Sequence, residues 1–134
     1  MKENEIMVEF SIYNYSEMDH RSISKIIGVE PTRIWNIGDE IRNGLDRKEN
    51  AWTFTNGYSS GVNLEDELNK LLIILTPNIT LLAEYVDVKK LNTKIDIVLK
   101  FDKEDTPPFF ISRDFIEVCN KLGADLETDI YIYK

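Results

Sequence analysis

The chain predicts an α+β fold, a ferredoxin-like sandwich with helices over one face of a mainly antiparallel sheet. Three observations carry that expectation. Residues 5–15 alternate as a half-buried strand does, Ile6, Val8, Phe10 and Ile12 against Met7, Glu9, Ser11, Tyr13 and Tyr15. Segments of helical spacing then interleave with further strands, in the order β-α-β-β-α-α-β-α-β. Strand, helix, glycine stop and strand recur near both ends, which suggests two related halves of weak residue identity.

Each element has a local reason. The polar stretch from Ser16 to Ser22 offers helix caps, and Ile23, Ile26 and Ile27 give a short helix its inner face. Gly28 followed by Val29 is the order of a left-handed helix stop, and Pro31 prevents the helix from resuming. Residues 32–37 and 51–55 read as strands, joined by a polar segment, Gly38 to Asn50, expected to be flexible. Asn63 caps the next helix, with Asp66 three residues on and Leu64, Leu68, Leu71, Leu72 and Leu75 inward. Thr76-Pro77 reads as a fresh start, Thr76 as cap and Pro77 first in a helix carrying Ile79, Leu82, Ala83 and Val86. Ile95, Ile97, Leu99 and Phe101 form the inner face of a strand, and Asp102 to Pro108 a loop. Ser112 caps a helix with Phe115, Val118, Cys119 and Leu122 inward, stopped by Gly123-Ala124. Leu126, Ile130 and Ile132 alternate with Glu127, Asp129, Tyr131 and Tyr133 in the last strand.

With 134 residues, 43% hydrophobic and 30% charged, one domain over 1–134 is expected, with a core of its own. The longest apolar run, Leu71 to Leu75, falls well short of the roughly 18 residues a membrane span needs, so no membrane partner is expected. Met1-Lys2-Glu3-Asn4-Glu5 leads into a strand rather than reading as a signal peptide. A single cysteine, Cys119, permits no intrachain disulfide and suits a reducing cytoplasm. Acids outnumber bases, 24 to 16, for a net charge of −8, with the bases interleaved as in Asp46-Arg47-Lys48-Glu49. That field repels phosphate and disfavours nucleic acid. It keeps the chain soluble, and it also attracts a basic protein.

The chemistry-bearing residues are few. One histidine, His20, and one cysteine do not make a zinc site, and Cys119 sits on an apolar helix face as core thiols do. Asp102-Lys103-Glu104-Asp105 lacks the spacing of a calcium loop, and the glycines lack phosphate-cradle spacing. No cofactor and no metal are therefore expected, and no catalytic residue is assigned.

Two surfaces remain. Strand parity puts Glu9, Tyr13, Tyr15, Glu127, Asp129, Tyr131 and Tyr133 on the outer face of the sheet, beside Met7, Asp96, Val98 and Lys100. An aromatic platform of this kind stacks bases in one RNA-binding fold, but carboxylates repel phosphate, and tyrosine with acid suits a basic protein partner. The plain alternatives are cover for the sheet or a homodimer face. The second candidate is Arg33, Trp35, Asp39 and Trp52, a cleft with Arg33 or Asp39 as polar anchor, or a cation–π stack at the core's edge.

Ile26-Ile27-Gly28-Val29-Glu30-Pro31-Thr32 followed by Gly38-Asp39, the strand at Trp52, the Pro77 segment, the Ser112 helix, Leu122-Gly123-Ala124 and Asp129-Ile130-Tyr131 cover nearly all of 5–133. In that order and spacing the chain resembles a bacterial family known as domain of unknown function number forty-two seventy-nine. The resemblance implies a stand-alone bacterial domain and transfers no catalytic residue. The resulting expectation is a small, cofactor-free cytoplasmic module that binds a protein, an immunity or antitoxin-like inhibitor being one version. The alternative is a small-ligand sensor or enzyme using a cleft near Trp35 and Trp52.

Overall fold

The computed structural model describes residues 3–133; Met1, Lys2 and Lys134, at the ends of the expected 1–134 domain, lie outside the described residues. In chain order the elements are β1 (Glu5–Asn14), α1 (His20–Ile27), β2 (Arg33–Trp35), β3 (Glu40–Arg42), β4 (Leu45–Asp46), β5 (Asn50–Thr55) and β6 (Ser59–Ser60). There follow α2 (Leu64–Leu75), a 3-10 turn (Thr76–Asn78), α3 (Ile79–Val88), β7 (Asn92–Asp102), α4 (Arg113–Leu122) and β8 (Asp125–Tyr133).

The main sheet runs β2-β5-β1-β7-β8, with β6 paired to the start of β1. β1 is antiparallel to β5, β6 and β7, and β2 is antiparallel to β5, whereas β7 and β8 are parallel. The protein is thus α+β with a mixed sheet. Both strand–helix–strand units exist, but they differ. In β1-α1-β2 the strands are split by β5; in β7-α4-β8 they are direct neighbours. The ferredoxin-like expectation assumed the split arrangement twice, and this strand order has it once.

Ile6, Phe10 and Ile12 of β1, Trp52 of β5 and Ile95, Ile97, Leu99 and Phe101 of β7 share one face and one core with the helices. The helices contribute Ile23 and Ile27, Leu64 to Leu75 at helical spacing, Leu82 and Val86, and Phe115, Val118 and Leu122. Each such side chain stabilises the fold by about 1.5–3 kcal/mol. Both glycine stops form as expected. Gly28 has φ +89° and its N–H bonds Ser24 O, Gly123 has φ +64°, and Val29 and Ala124 pack back onto the core. Asp19 supplies the first cap, accepting from Ser22 N at 3.1 Å; Asn63 and Ser112 cap α2 and α4.

Four local expectations change. Thr76 is helical (φ −60°, ψ −42°), so it cannot serve as an N-cap, which needs extended backbone. Pro77 lacks the N–H for the α ladder, and a 3-10 turn carries the rod through from Leu64 to Val88. That rod of 25 residues is long and apolar enough, by length and composition alone, to cross a membrane. Here its stripe of Leu64, Leu68, Leu71, Leu75, Leu82 and Val86 is buried in the core.

The 32–37 strand shortens to Arg33–Trp35, and the supposedly flexible Gly38–Asn50 segment contains the β3–β4 hairpin, turned at Asn43-Gly44. Lastly, Leu126, Ile130 and Ile132 face the helix side but stay 40%, 55% and 59% exposed. They lie on the edge strand, beyond the helices' cover.

Candidate functional site

The open face of the sheet is assembled by register. Tyr13 lies beside Ala51, and Ala51 beside Trp35; Ser11 lies beside Thr53, and Thr53 beside Arg33. On the other side of β1, Ser11 pairs with Lys94 and Glu9 with Asp96, which in turn neighbour Asp125 and Glu127 of β8. Small residues at the centre, Ser11 and Ala51, leave a trough between taller walls. It encloses about 300 Å³, with Tyr13, Tyr15 and Trp35 at one end and five carboxylates, Glu9, Glu49, Asp96, Asp125 and Glu127, around it. Lys94 is the one basic residue in that lining.

The aromatic end is built deliberately. Tyr13 and Tyr15 meet edge to face at 6.3 Å between ring centres. Trp35 carries two guanidinium groups over its ring, Arg33 at 5.2 Å and Arg47 at 3.8 Å from the centre. Its indole N–H is buried without a hydrogen-bond partner among the described residues.

Arg47 reaches Trp35 because the hairpin turns back on itself. Asp39 Oδ2 accepts from Asn36 N at 2.8 Å, and Asp39 O accepts from Arg47 N at 2.8 Å. Asn50 Oδ1 accepts from Ile37 N, while its Nδ2 donates to Asn14 Oδ1 and Ser16 O, anchoring the whole loop to β1. Asp39 is accordingly a loop builder and lies outside the trough's lining.

Charge is unevenly matched. Arg33 lies 3.9 Å from Glu9, and Lys94 lies 3.8 Å from Asp96. Burial pushes the Asp96 carboxyl up to about 6, against the pull of Lys94, and its hydrogen bond with Glu127 and the nearby Glu9 push the same way. Tyr13 is also raised, by burial first and then by Tyr15.

A family model described as a domain of unknown function (DUF4279) matches residues 4–133, which takes in every element of the sheet and all the helices. The chain belongs to that family. No curated protein and no solved structure matches it.

In this DUF4279 member the sequence candidates sort into three places. Glu9, Tyr13, Tyr15 and Glu127 join Trp35 at the trough, so two groups that were separate in the sequence share one site. Arg33 stands on the same face, on the short edge strand β2. Asp129, Tyr131 and Tyr133 lie farther along β8, opposite Val98, Lys100 and Asp102. There Lys100 sits over Tyr58 at 4.3 Å and Tyr131 at 5.9 Å, and the Tyr133 hydroxyl donates to Glu5 at 3.3 Å.

Trp52 is a correction. The two strands do pair, but Trp52 is opposite Ile34 and Ile12, and therefore on the helix side. It is fully buried, meets Phe10 edge to face at 6.4 Å, and donates from its indole to Ser24 Oγ at 3.0 Å. A cleft shared by Trp35 and Trp52 does not exist.

Arg47, Glu49, Asp96 and Asp125 are site residues that the sequence reading did not name as candidates. Asn43-Gly44 between Ile41 and Leu45 was the available signal for the first two, since that dipeptide turns a hairpin. His20 is engaged through Nε2 with Trp35 O at 3.2 Å. Burial raises the Cys119 thiol, the wrong direction for a nucleophile.

Proposed function

We propose that the chain is a non-catalytic protein-binding module whose trough receives cationic side chains of a basic partner. The observation that carries this is the trough's surplus of acid: five carboxylates line it beside three aromatic rings, against Lys94 in the lining and Arg33 and Arg47 at the Trp35 wall. Carboxylates draw in a guanidinium or ammonium group, and aromatic faces hold it without demanding one geometry. An inhibitor of the immunity or antitoxin kind, occluding a basic toxin from within the cytoplasm, is the concrete version we favour. The ferredoxin-like likeness we keep for the split β1-α1-β2 unit alone.

The test is titration with an arginine-rich peptide, followed through the two indole N–H resonances. Trp35 is expected to shift saturably while Trp52, on the far side of the sheet, stays put. The double charge reversal Glu9→Lys with Glu127→Lys should remove the shift. No movement at Trp35, or the same movement in the reversed variant, would defeat the reading.

One observation favours a second reading, a small-ligand sensor or enzyme. Asp96 and Glu127 form a hydrogen-bonded carboxyl pair in a concave site, with Asp96 near 6, which suits proton transfer close to neutral pH. A thermal-shift screen of metabolites separates the two. A saturable shift lost in Asp96→Asn supports the second reading; no response from any class removes it.

A further inference from the structure

Among the described residues, β8 is the one long strand with no strand on its outer side. It runs nine residues, pairs with β7 in unbroken register from Asp125 to Tyr133, and among the described residues no strand takes its other side. The opposite edge of the sheet is blunted, because β2 has three residues and is followed by a folded hairpin. Within β8 there is no proline, glycine, lysine or bulge, and its charges, Asp125, Glu127 and Asp129, all lie on the open face.

Its helix-side residues are also incompletely covered. Leu126, Ile130 and Ile132 are all exposed, while their register neighbours on β7, Ile95, Leu99 and Phe101, are buried. An apolar row beside unpaired backbone donors and acceptors is a surface made to be continued by another strand.

We infer that a second copy of this chain supplies that strand, the two β8 edges pairing antiparallel about a two-fold axis at Ile130. Self-pairing selects the register. A two-fold axis normal to the sheet keeps side chains on their own faces, so only registers centred on a residue are allowed. The open face of β8 reads Asp125, Glu127, Asp129, Tyr131, Tyr133, acids first and phenols last.

Centring on Asp129 sets it against the partner subunit's Asp129. Centring on Thr128 sets Glu127 against the partner subunit's Asp129. Both juxtapose like charges. Centring on Ile130 instead puts Asp129 beside the partner subunit's Tyr131, and Glu127 beside the partner subunit's Tyr133. Thr128 then meets the partner subunit's Ile132 on the helix side, and the two Ile130 side chains meet on the axis. The acid-then-tyrosine order thus sets no like charges opposite one another in this long register, while the Tyr133 hydroxyl keeps its own Glu5. The pairing joins two sheets into one and leaves both troughs open on the same side. It uses Glu127, which also lines the trough, but its edge and register are read at Ile130 and Thr128 on the helix side, whatever the trough binds.

Sedimentation equilibrium at about 50 µM should give twice the 15.6 kDa of one chain, as a micromolar dimer would. A monomer at that concentration overturns the inference. Ile130→Lys, at an exposed position, should return the mass to one chain with its circular dichroism unchanged; a folded variant that stays dimeric overturns the edge. Register is read by cross-linking in a Cys119→Ser background. Ile130→Cys should oxidise to a covalent dimer, because the axis brings the two α-carbons to about 5 Å. Thr128→Cys should not, its copies lying about 14 Å apart at about 3.4 Å per residue. Equal cross-linking of the two variants rejects the register.

Discussion

The two ends of the open face use the same residue types to different effect. At one end Tyr58 and Tyr131 surround Lys100, and Tyr133 meets Glu5: cation, rings and acid come from the same chain and answer one another. The hydrogen bond that Lys100 donates to the Tyr58 hydroxyl oxygen even raises the Lys100 pKa. At the other end Tyr13, Tyr15 and Trp35 stand over five carboxylates, answered by Lys94 in the lining and by Arg33 and Arg47 at Trp35. The first end is internally matched and the second is short of positive charge. A tyrosine–carboxylate surface is therefore a binding surface only where the chain's own cations leave it unbalanced.

The largest contrast is between the two tryptophans. Trp52→Ala should cost about 3–5 kcal/mol in urea unfolding, since it empties a fully buried site and orphans Ser24. Trp35→Ala on the trough wall should cost about 1 kcal/mol, chiefly its two cation–π stacks. Equal losses would erase the distinction between core and wall.

Next comes charge. Reversing Glu9 and Glu127 together should weaken an arginine-rich peptide by about a hundredfold or more, at roughly 1–2 kcal/mol for each desolvated contact, read by calorimetry. Lys100→Ala at the matched end should leave that affinity within about twofold.

The third effect is pH. Folding raises the Asp96 carboxyl from 3.8 to about 6, so the folded state holds the extra proton and loses stability as pH rises through that window. Asp96→Asn removes the charge that must otherwise be buried. It should be more stable than the parent above pH 6 by about 1 kcal/mol, discounted for partial solvent screening, and the gap should close below pH 4. Thermal melts at pH 3.5, 5 and 7 read this directly. The smallest effect is expected from Arg47→Ala, about 0.5–1 kcal/mol, with Trp35 fluorescence reporting the bared ring.

What the sequence made legible was local. Alternation named the faces of β1, β7 and β8, and Gly28 and Gly123 marked two helix ends through a backbone conformation that glycine adopts without strain. The tyrosine face followed from parity alone, since successive strand residues point opposite ways. Pro77 misled, because a proline tolerated at a helix start is also tolerated where a 3-10 turn joins two helices.

Other features were decided only when distant segments met. The insertion of β5 between β1 and β2 set Ile34, rather than Trp35, opposite Trp52, and so divided a four-residue candidate between two faces of the sheet. The return of the hairpin set Arg47 on Trp35; Asn43-Gly44 signals the turn, but which ring the returning strand meets is decided by the tertiary structure. The helices' failure to reach β8 left an apolar row exposed that looks, in sequence, like any inner face. Periodicity tells a residue which side of its own strand it occupies. Strand order decides what stands beside it, and that depends on pairing between segments far apart in the chain.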